Sequence, residues 1–262
     1  MGQGRDELFG GYTRHLGVKY GGYWRSIPDP IRKSLSRALS GIPRKESIRR
    51  GLYSLEVQNR MRRYQNVFSL LPGDFIDSLF QDDLLPDGSG DFILKSWEDL
   101  EELMENTDEL GGFQFLEIRS SLPDELLMYA DKLSMAHSLE VRVPYLDQNI
   151  VEYVEKLPAD FKVRYGTRKW IHRQVCKDYL PSKIIKRKKR GFAVNVVDQW
   201  FKESLSSEFD SMLMDEQSLM YDFLKPSVVK NLMNAHTNGQ ADYHKILFSL
   251  IVFEKWLREN SI

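Results

Sequence analysis

The chain carries a single cysteine, Cys176, among its 262 residues, so it can form neither an internal disulfide nor a cysteine-rich zinc site. That usage suits a reducing compartment, and the cytosol is the expected location. With no adjacent histidine, Cys176 reads as a buried thiol inside a helix. Charge of one sign is missing as well. The 37 basic and 38 acidic residues nearly cancel, so no whole-molecule field attracts nucleic acid or anionic lipid, and any electrostatic function must be local. Long apolar runs are absent: the longest, near Ile246 to Phe253, falls far short of the roughly 20 residues needed to cross a bilayer. No membrane partner is expected. No basic stretch followed by an apolar one opens the chain, so no secretory leader is read, and Asp6 stands where N-myristoylation wants serine or threonine. The five histidines, His15, His137, His172, His236 and His244, fall into no HExxH or other metal spacing. Ser121, Ser134 and Ser138 lack the glycine-flanked turn of a hydrolase nucleophile. No stretch alternates apolar and polar residues for a useful length.

What remains is helical periodicity. Tyr243, Ile246, Leu247, Leu250, Ile251 and Leu257 recur mostly at three- and four-residue steps and make one apolar face on a closing helix. A helix is expected to begin near Pro123, with Asp124 and Glu125 in its first turn and Leu126, Leu127, Ala130, Leu133 and Met135 packed inward. Further helices are expected over Pro30–Leu39, Glu46–Tyr64, Gly112–Ser120, Gln148–Lys156, Lys169–Tyr179, Val197–Met214 and Ser227–Ala235. Composition agrees with an ordinary folded domain, at 42% apolar and 29% charged residues. The segment 81–91, QDDLLPDGSGD, is a break rich in Asp, Gly and Pro. Its GSG follows no apolar strand and precedes no lysine at the spacing a phosphate loop requires, so it reads as a surface loop joining subregions 1–80 and 92–262 of one domain.

The chain opens on GQGRDELFGGY, residues 2 to 12. Gly2 and Gly4 can take positive φ and bring backbone N–H groups close to an anion, and Asp6 and Glu7 are hard oxygen ligands of the kind Mg²⁺ accepts. The alternative is a flexible start whose acids cap the next helix. A second cluster puts six cations, Lys183, Lys186, Arg187, Lys188, Lys189 and Arg190, within eight residues before Gly191-Phe192. On composition such a run is a solvated face or a nucleic-acid patch.

Four ordered blocks carry more than any one of them: GQGRDELFGGY; Ser121 to Asp147, SLPDELLMYADKLSMAHSLEVRVPYLD; Gly166 to Arg173, GTRKWIHR; and Lys186 to Phe192, KRKKRGF. Together they closely resemble the synthetase domain of the glutamine-dependent asparagine synthetase family, with a weak match from about Arg25 to Leu116. The resemblance implies a mainly α fold, the helical C-terminal part of an α/β ATP-pyrophosphatase-type (adenine nucleotide α-hydrolase-like) synthetase domain spanning 1–262 and truncated at its N-terminus. It also implies ATP and Mg²⁺. A carboxylate, aspartate by default, is adenylated and then attacked by ammonia drawn from glutamine; the alternatives are a non-catalytic helical remnant acting as a partner-binding domain, or a nucleic-acid-binding module using the basic segment 183–190. The family's SGGxDS pyrophosphate loop and its glutaminase domain have no counterpart here, so both are expected from another chain or a longer precursor. The number of subunits, including any homo-oligomer, is left open.

Residue by residue, Asp6 matches the family's Mg²⁺-holding aspartate, and Gly2 and Gly4 match glycines beside the nucleotide. Glu7 matches as a brace for the loop. Gln3 departs from the pattern, because the family's makers of free asparagine carry an acidic residue near the reacting amine and glutamine cannot take up a proton. Glu140, beside Arg142 in EVRVPYLD, is the substitute base, or else half of a buried ion pair with Arg142. Asp147 is expected to cap the next helix. Lys169 matches the lysine that contacts the α-phosphate or the adenylated intermediate, with Arg173 four residues on and so on the same helix face. Lys188, Lys189 and Arg190 match the family's RxKxGF wall near pyrophosphate, anchored by Phe192. All of this requires the side chains of Asp6 and Lys169 to meet in one cleft.

Overall fold

The computed structural model describes residues 1–40, 46–84, 92–187 and 211–260. They are mainly helical, with one two-stranded sheet among them. The chain divides into two compact units, Met1–Pro28 with Trp97–Lys188, and Asp29–Ser96 with Lys189–Ile262. The segment 81–91 belongs to the second unit; Asp82–Leu84 form a 3₁₀ turn, and 85–91 lie outside the described residues.

In the first unit the central element is the helix Glu109–Arg119. Asp108 starts it by accepting a 2.7 Å hydrogen bond from the Gly111 N–H, the satisfaction a helix N-terminus needs. Its Leu110, Phe113 and Leu116 are at most 1% exposed. Against it pack the helices Arg5–Phe9, Thr13–Arg25 and Glu98–Met104 and the π-helical turn Leu122–Leu127. Leu8, Phe9 and Val154 gather Tyr145, Val151, Leu157 and Ile171 into a core beneath the N-terminal loop.

The turn Leu122–Leu127 explains one failed expectation. Leu133 and Met135 do not pack inward; they are 69% and 54% exposed on the helix Met128–Met135. A π turn holds more than 3.6 residues, so the apolar register read through Leu126 and Leu127 is rotated away before it reaches Leu133. Likewise Glu46–Tyr64 is not one helix. Glu46–Glu56 stops, and Asn59 caps a new helix, Arg60–Phe68, by accepting from the Arg62 N–H at 2.9 Å. The expected helix Val197–Met214 falls largely outside the described residues.

The sheet is a hairpin in the first unit, Val163–Arg164 paired with Thr167–Arg168. Tyr165 and Gly166 both have positive φ (48° and 72°), the pattern of the two-residue turn that matches strand twist. Strands of two residues leave no alternation to read.

In the second unit the stripe on the closing helix His244–Asn260 lies where its spacing predicts. Leu247, Leu250 and Ile251 are buried with Leu213, Met220, Leu224 and Val229, and Tyr243, Ile246 and Leu257 pack alongside. Glu254, fully buried on that helix, accepts the N–H groups of Leu219 (3.2 Å) and Met220 (2.7 Å) and pairs with Arg258 at 2.6 Å. Glu254→Ala strands both N–H groups. At about 1–3 kcal/mol for each unsatisfied buried donor, the urea midpoint of this unit should fall by the equivalent of roughly 2–6 kcal/mol.

Candidate active site

The N-terminal loop is shaped by three glycines that fit three different neighbours. Gly4 has φ 80°, and a Cβ on it would lie 2.3 Å from Leu146 Cδ2. Gly10 has φ 72°, and its Cβ would lie 2.8 Å from Val163 Cγ2. A Cβ on Gly11 would lie 1.8 Å from Asp6 Oδ1. Each position therefore excludes a side chain on steric grounds, and the first two on backbone grounds also. Gly2 differs from expectation: its φ is not positive and its missing Cβ meets nothing within 4 Å.

Gly4 is the N-cap of the helix Arg5–Phe9, and no side chain caps it. Asp6 sits within the first turn, where the helix dipole favours its charge, rather than capping. Its Oδ1 accepts from Lys169 Nζ at 2.9 Å across 163 residues of sequence. Both side chains are largely buried, at 18% and 10% exposure. The two side chains therefore meet directly.

Lys169 is not a helical residue. It has φ 54° and is the N-cap of the helix Trp170–Cys176, so the idea that it shares a helix face with Arg173 fails. Arg173 instead gives Nε to the Arg168 carbonyl at 3.0 Å and Nη1 to the Ile185 carbonyl, tying this helix to the start of the basic segment. Of that segment, Lys183, Lys186 and Arg187 are exposed, while Lys188, Lys189, Arg190 and Phe192 lie outside the described residues.

On the same helix as Arg173, His172 shares a 3.0 Å hydrogen bond with the Tyr145 hydroxyl and lies tilted against Phe9, with ring centroids 5.3 Å apart. Burial, with the cations Arg5, Lys169 and Arg173 adding to it, pushes its pKa down to about 4, so the imidazole is neutral at ordinary pH. Cys176 Sγ lies 3.7 Å from His172 Nδ1 and is only half-buried, which corrects the reading of an isolated buried thiol; the histidine stands one helical turn earlier.

Gln3 gives Nε2 to the Leu126 carbonyl at 3.1 Å, and its Oε1 is buried without a hydrogen-bond partner. Glu140 and Arg142 do pair, at 2.7 Å, but the pair is exposed (69% and 84%) rather than buried, because nothing in the described residues covers this stretch. The Met1 amino group donates to the Arg142 carbonyl at 2.6 Å, so the EVRVPYLD segment lies against the N-terminal loop. Asp147 caps the helix Gln148–Glu155 as expected, accepting the Asn149 N–H at 3.0 Å.

A layer of residues that sequence reasoning missed supports Asp6 from behind. In it Tyr12 donates its hydroxyl at 2.5 Å to Glu7, itself 3% exposed. Burial, then the Glu7 carboxylate, raises the Tyr12 pKa, so the phenol stays a donor. Arg14 lies over the Tyr12 ring at 4.2 Å and pairs with Glu117. His15 Nε2 meets the same buried carboxylate at 2.8 Å. Gln114 Nε2 donates to the carbonyls of Glu7 (2.5 Å) and Leu8 (3.1 Å), fixing the helix that carries Asp6. More than a hundred residues separate Gln114 and Glu117 from the groups they hold in this layer, and no local signal joins them.

Among the described residues no cluster of three or more His, Cys, Asp or Glu forms a self-sufficient metal cage. One carboxylate suits Mg²⁺ that arrives with phosphate oxygens and keeps its waters, the usual manner of nucleotide-bound Mg²⁺. The site can therefore hold a metal–phosphate pair, with an ammonium beside the carboxylate for the phosphate's own charge.

The family model described as asparagine synthase matches residues 1–258. Asparagine synthetase (glutamine-hydrolysing) 1 of Bacillus subtilis is 26% identical over 262 residues, covering 97% of this chain and 39% of the relative. A putative asparagine synthetase (glutamine-hydrolysing) of Mycobacterium tuberculosis is 27% identical over 97% of this chain and 38% of its own length. The rat asparagine synthetase is 29% identical over 45% of the chain. The chain thus spans about two fifths of the first two relatives. No solved structure matches. With a family match running from its first residue almost to its last, this chain belongs to the asparagine synthase family.

Proposed function

We propose that the chain is the helical C-terminal part of an ATP-pyrophosphatase-type synthetase domain that adenylates a carboxylate, aspartate by default, for attack by ammonia released from glutamine. The observation that carries this reading is the meeting of Asp6 and Lys169 at a glycine-shaped helix start in a chain of this family. A carboxylate oxygen of the substrate attacks the α-phosphorus of ATP, and the bond to pyrophosphate breaks. Charge then accumulates on the departing oxygens. Lys169 supplies a compact cation at the α-phosphate as the adenylate forms, and the neutral His172 near it adds none. Asp6, with the phosphates, would hold Mg²⁺, which when bound neutralises phosphate charge. In the second half, nitrogen attacks the acyl carbon, AMP leaves, and the nitrogen loses a proton. Gln3 can orient the amine but not take that proton. Glu140, on the segment held against the loop, is the carboxylate assigned to receive it.

The nucleotide loop and the glutaminase are assigned to another chain or a longer precursor. The chain alone is therefore expected to show no aspartate-dependent exchange of labelled pyrophosphate into ATP, and to gain it when a polypeptide bearing an SGGxDS loop is co-expressed. Exchange by the chain alone overturns the incompleteness. Absence of exchange with aspartate and a panel of sugar, peptide and β-amino carboxylates, once that loop is supplied, overturns the ligase reading.

A further inference from the structure

The segment that delivers Lys169 departs from a rule of extended chain. Successive side chains along a strand point to opposite faces, so Arg168 and Lys169, at the end of the hairpin, should diverge. They converge instead, because Lys169 turns into the left-handed region at φ 54° and breaks the alternation. Arg168 reaches the backbone of the N-terminal turn, its Nη1 donating to the Gly11 carbonyl at 3.2 Å and to Thr13 Oγ1 at 3.0 Å. Lys169 reaches the carboxylate of Asp6 on the same turn. Gly11 is the point where the two grips meet. Its N–H donates to the Asp6 carbonyl at 2.6 Å, and the carboxylate of Asp6 occupies the space a Cβ would need, with Oδ1 at 1.8 Å and Cγ at 2.6 Å from that position.

We propose that Arg168 and Gly11 are positioning residues for Asp6: Arg168 fixes the turn at Gly11, and the bare Gly11 lets the Asp6 carboxylate fold back to where Lys169 finds it. Their importance to chemistry rests on the ligase reading; the positioning itself does not need it. Neither residue touches a substrate in this assignment.

The test reads Lys169 directly, in the full chain without nucleotide. A short pulse of acetic anhydride is followed by peptide mass spectrometry, with exposed Lys177 as the internal reference. Lys169 in the wild type should react slowly, being 8% exposed and paired. Arg168→Gln and Gly11→Ala should each raise its rate by about fivefold or more, the effect of losing on the order of one kcal/mol of local restraint, and approach the rate seen in Asp6→Asn. Arg168→Lys should restore protection, since a single nitrogen makes both contacts. Wild-type protection of Lys169 in Arg168→Gln would overturn the proposal. So would a rise shared equally by every lysine, which would mark general loosening. Because no ATP is present, either failure is separate from a failure of pyrophosphate exchange.

Discussion

Lys169→Met is expected to lower carboxylate-dependent pyrophosphate exchange by about 10²–10³-fold in the assembly that carries out the exchange, the loss typical of removing one preorganised donor at a developing anion. The physical ground is the position of the ammonium, buried, fixed by a left-handed backbone residue and 2.9 Å from the carboxylate assigned to the metal. Methionine fills much the same volume without charge, so the local packing should change little. Asp6→Asn should cost a similar factor, through the metal rather than the phosphate. The double variant should lie close to either single one, because two groups acting on one adenylating transition state are not additive. Exchange within threefold of wild type in Lys169→Met would remove the lysine from the mechanism. The measurement must be paired with a thermal melt, since methionine leaves the Asp6 carboxylate without this cation.

The second large effect is on stability. Glu117 is fully buried in the helix Glu109–Arg119 and gathers Arg14 and His15, themselves 35% and 0% exposed in their side chains. Replacing it with glutamine keeps the shape but leaves Arg14 facing a neutral group, and because Arg14 is one-third exposed and can regain water the cost is set by the lost charged hydrogen bonds, about 1.5–3 kcal/mol. Burial alone would raise the Glu117 pKa, but His15 and Arg14 outweigh it and hold the carboxyl below its ordinary 4.5. A carboxyl whose folded pKa is depressed stabilises the fold fully above its unfolded value, and that contribution is lost as pH falls through the folded value. Urea midpoints should therefore drop on acidification below pH 4.5 in the wild type, and drop less in Glu117→Gln. Equal acid sensitivity in both proteins would show that the carboxylate is not the group responsible.

How much of this could be read from residues depends on the range of the interaction. The closing helix was legible because Leu247, Leu250 and Ile251 repeat at the helical period within one turn or two. Asp6 and Lys169 were legible only through the blocks that surround them, since nothing local says that residues 163 positions apart will touch. Local chemistry that was present but outweighed accounts for other differences. Asn59 is a good cap inside an otherwise periodic stretch, and Tyr165-Gly166 is a turn signal between strands too short to alternate. The exposed Leu133 and Met135 follow from a π turn that no residue type announces. The meeting of Arg14 and His15 with Glu117 was unreadable for a physical reason: buried charges find partners by tertiary packing, and sequence spacing holds no record of it.

The 163-residue separation between Asp6 and Lys169 also has a meaning in time. A ribosome adding roughly 5–20 residues per second exposes the acidic member of the pair some ten to thirty seconds before the basic one is made. Through that interval the nascent chain displays a carboxylate with no cation from residue 169 to meet it, and the pair cannot form until the segment carrying Lys169 has been made.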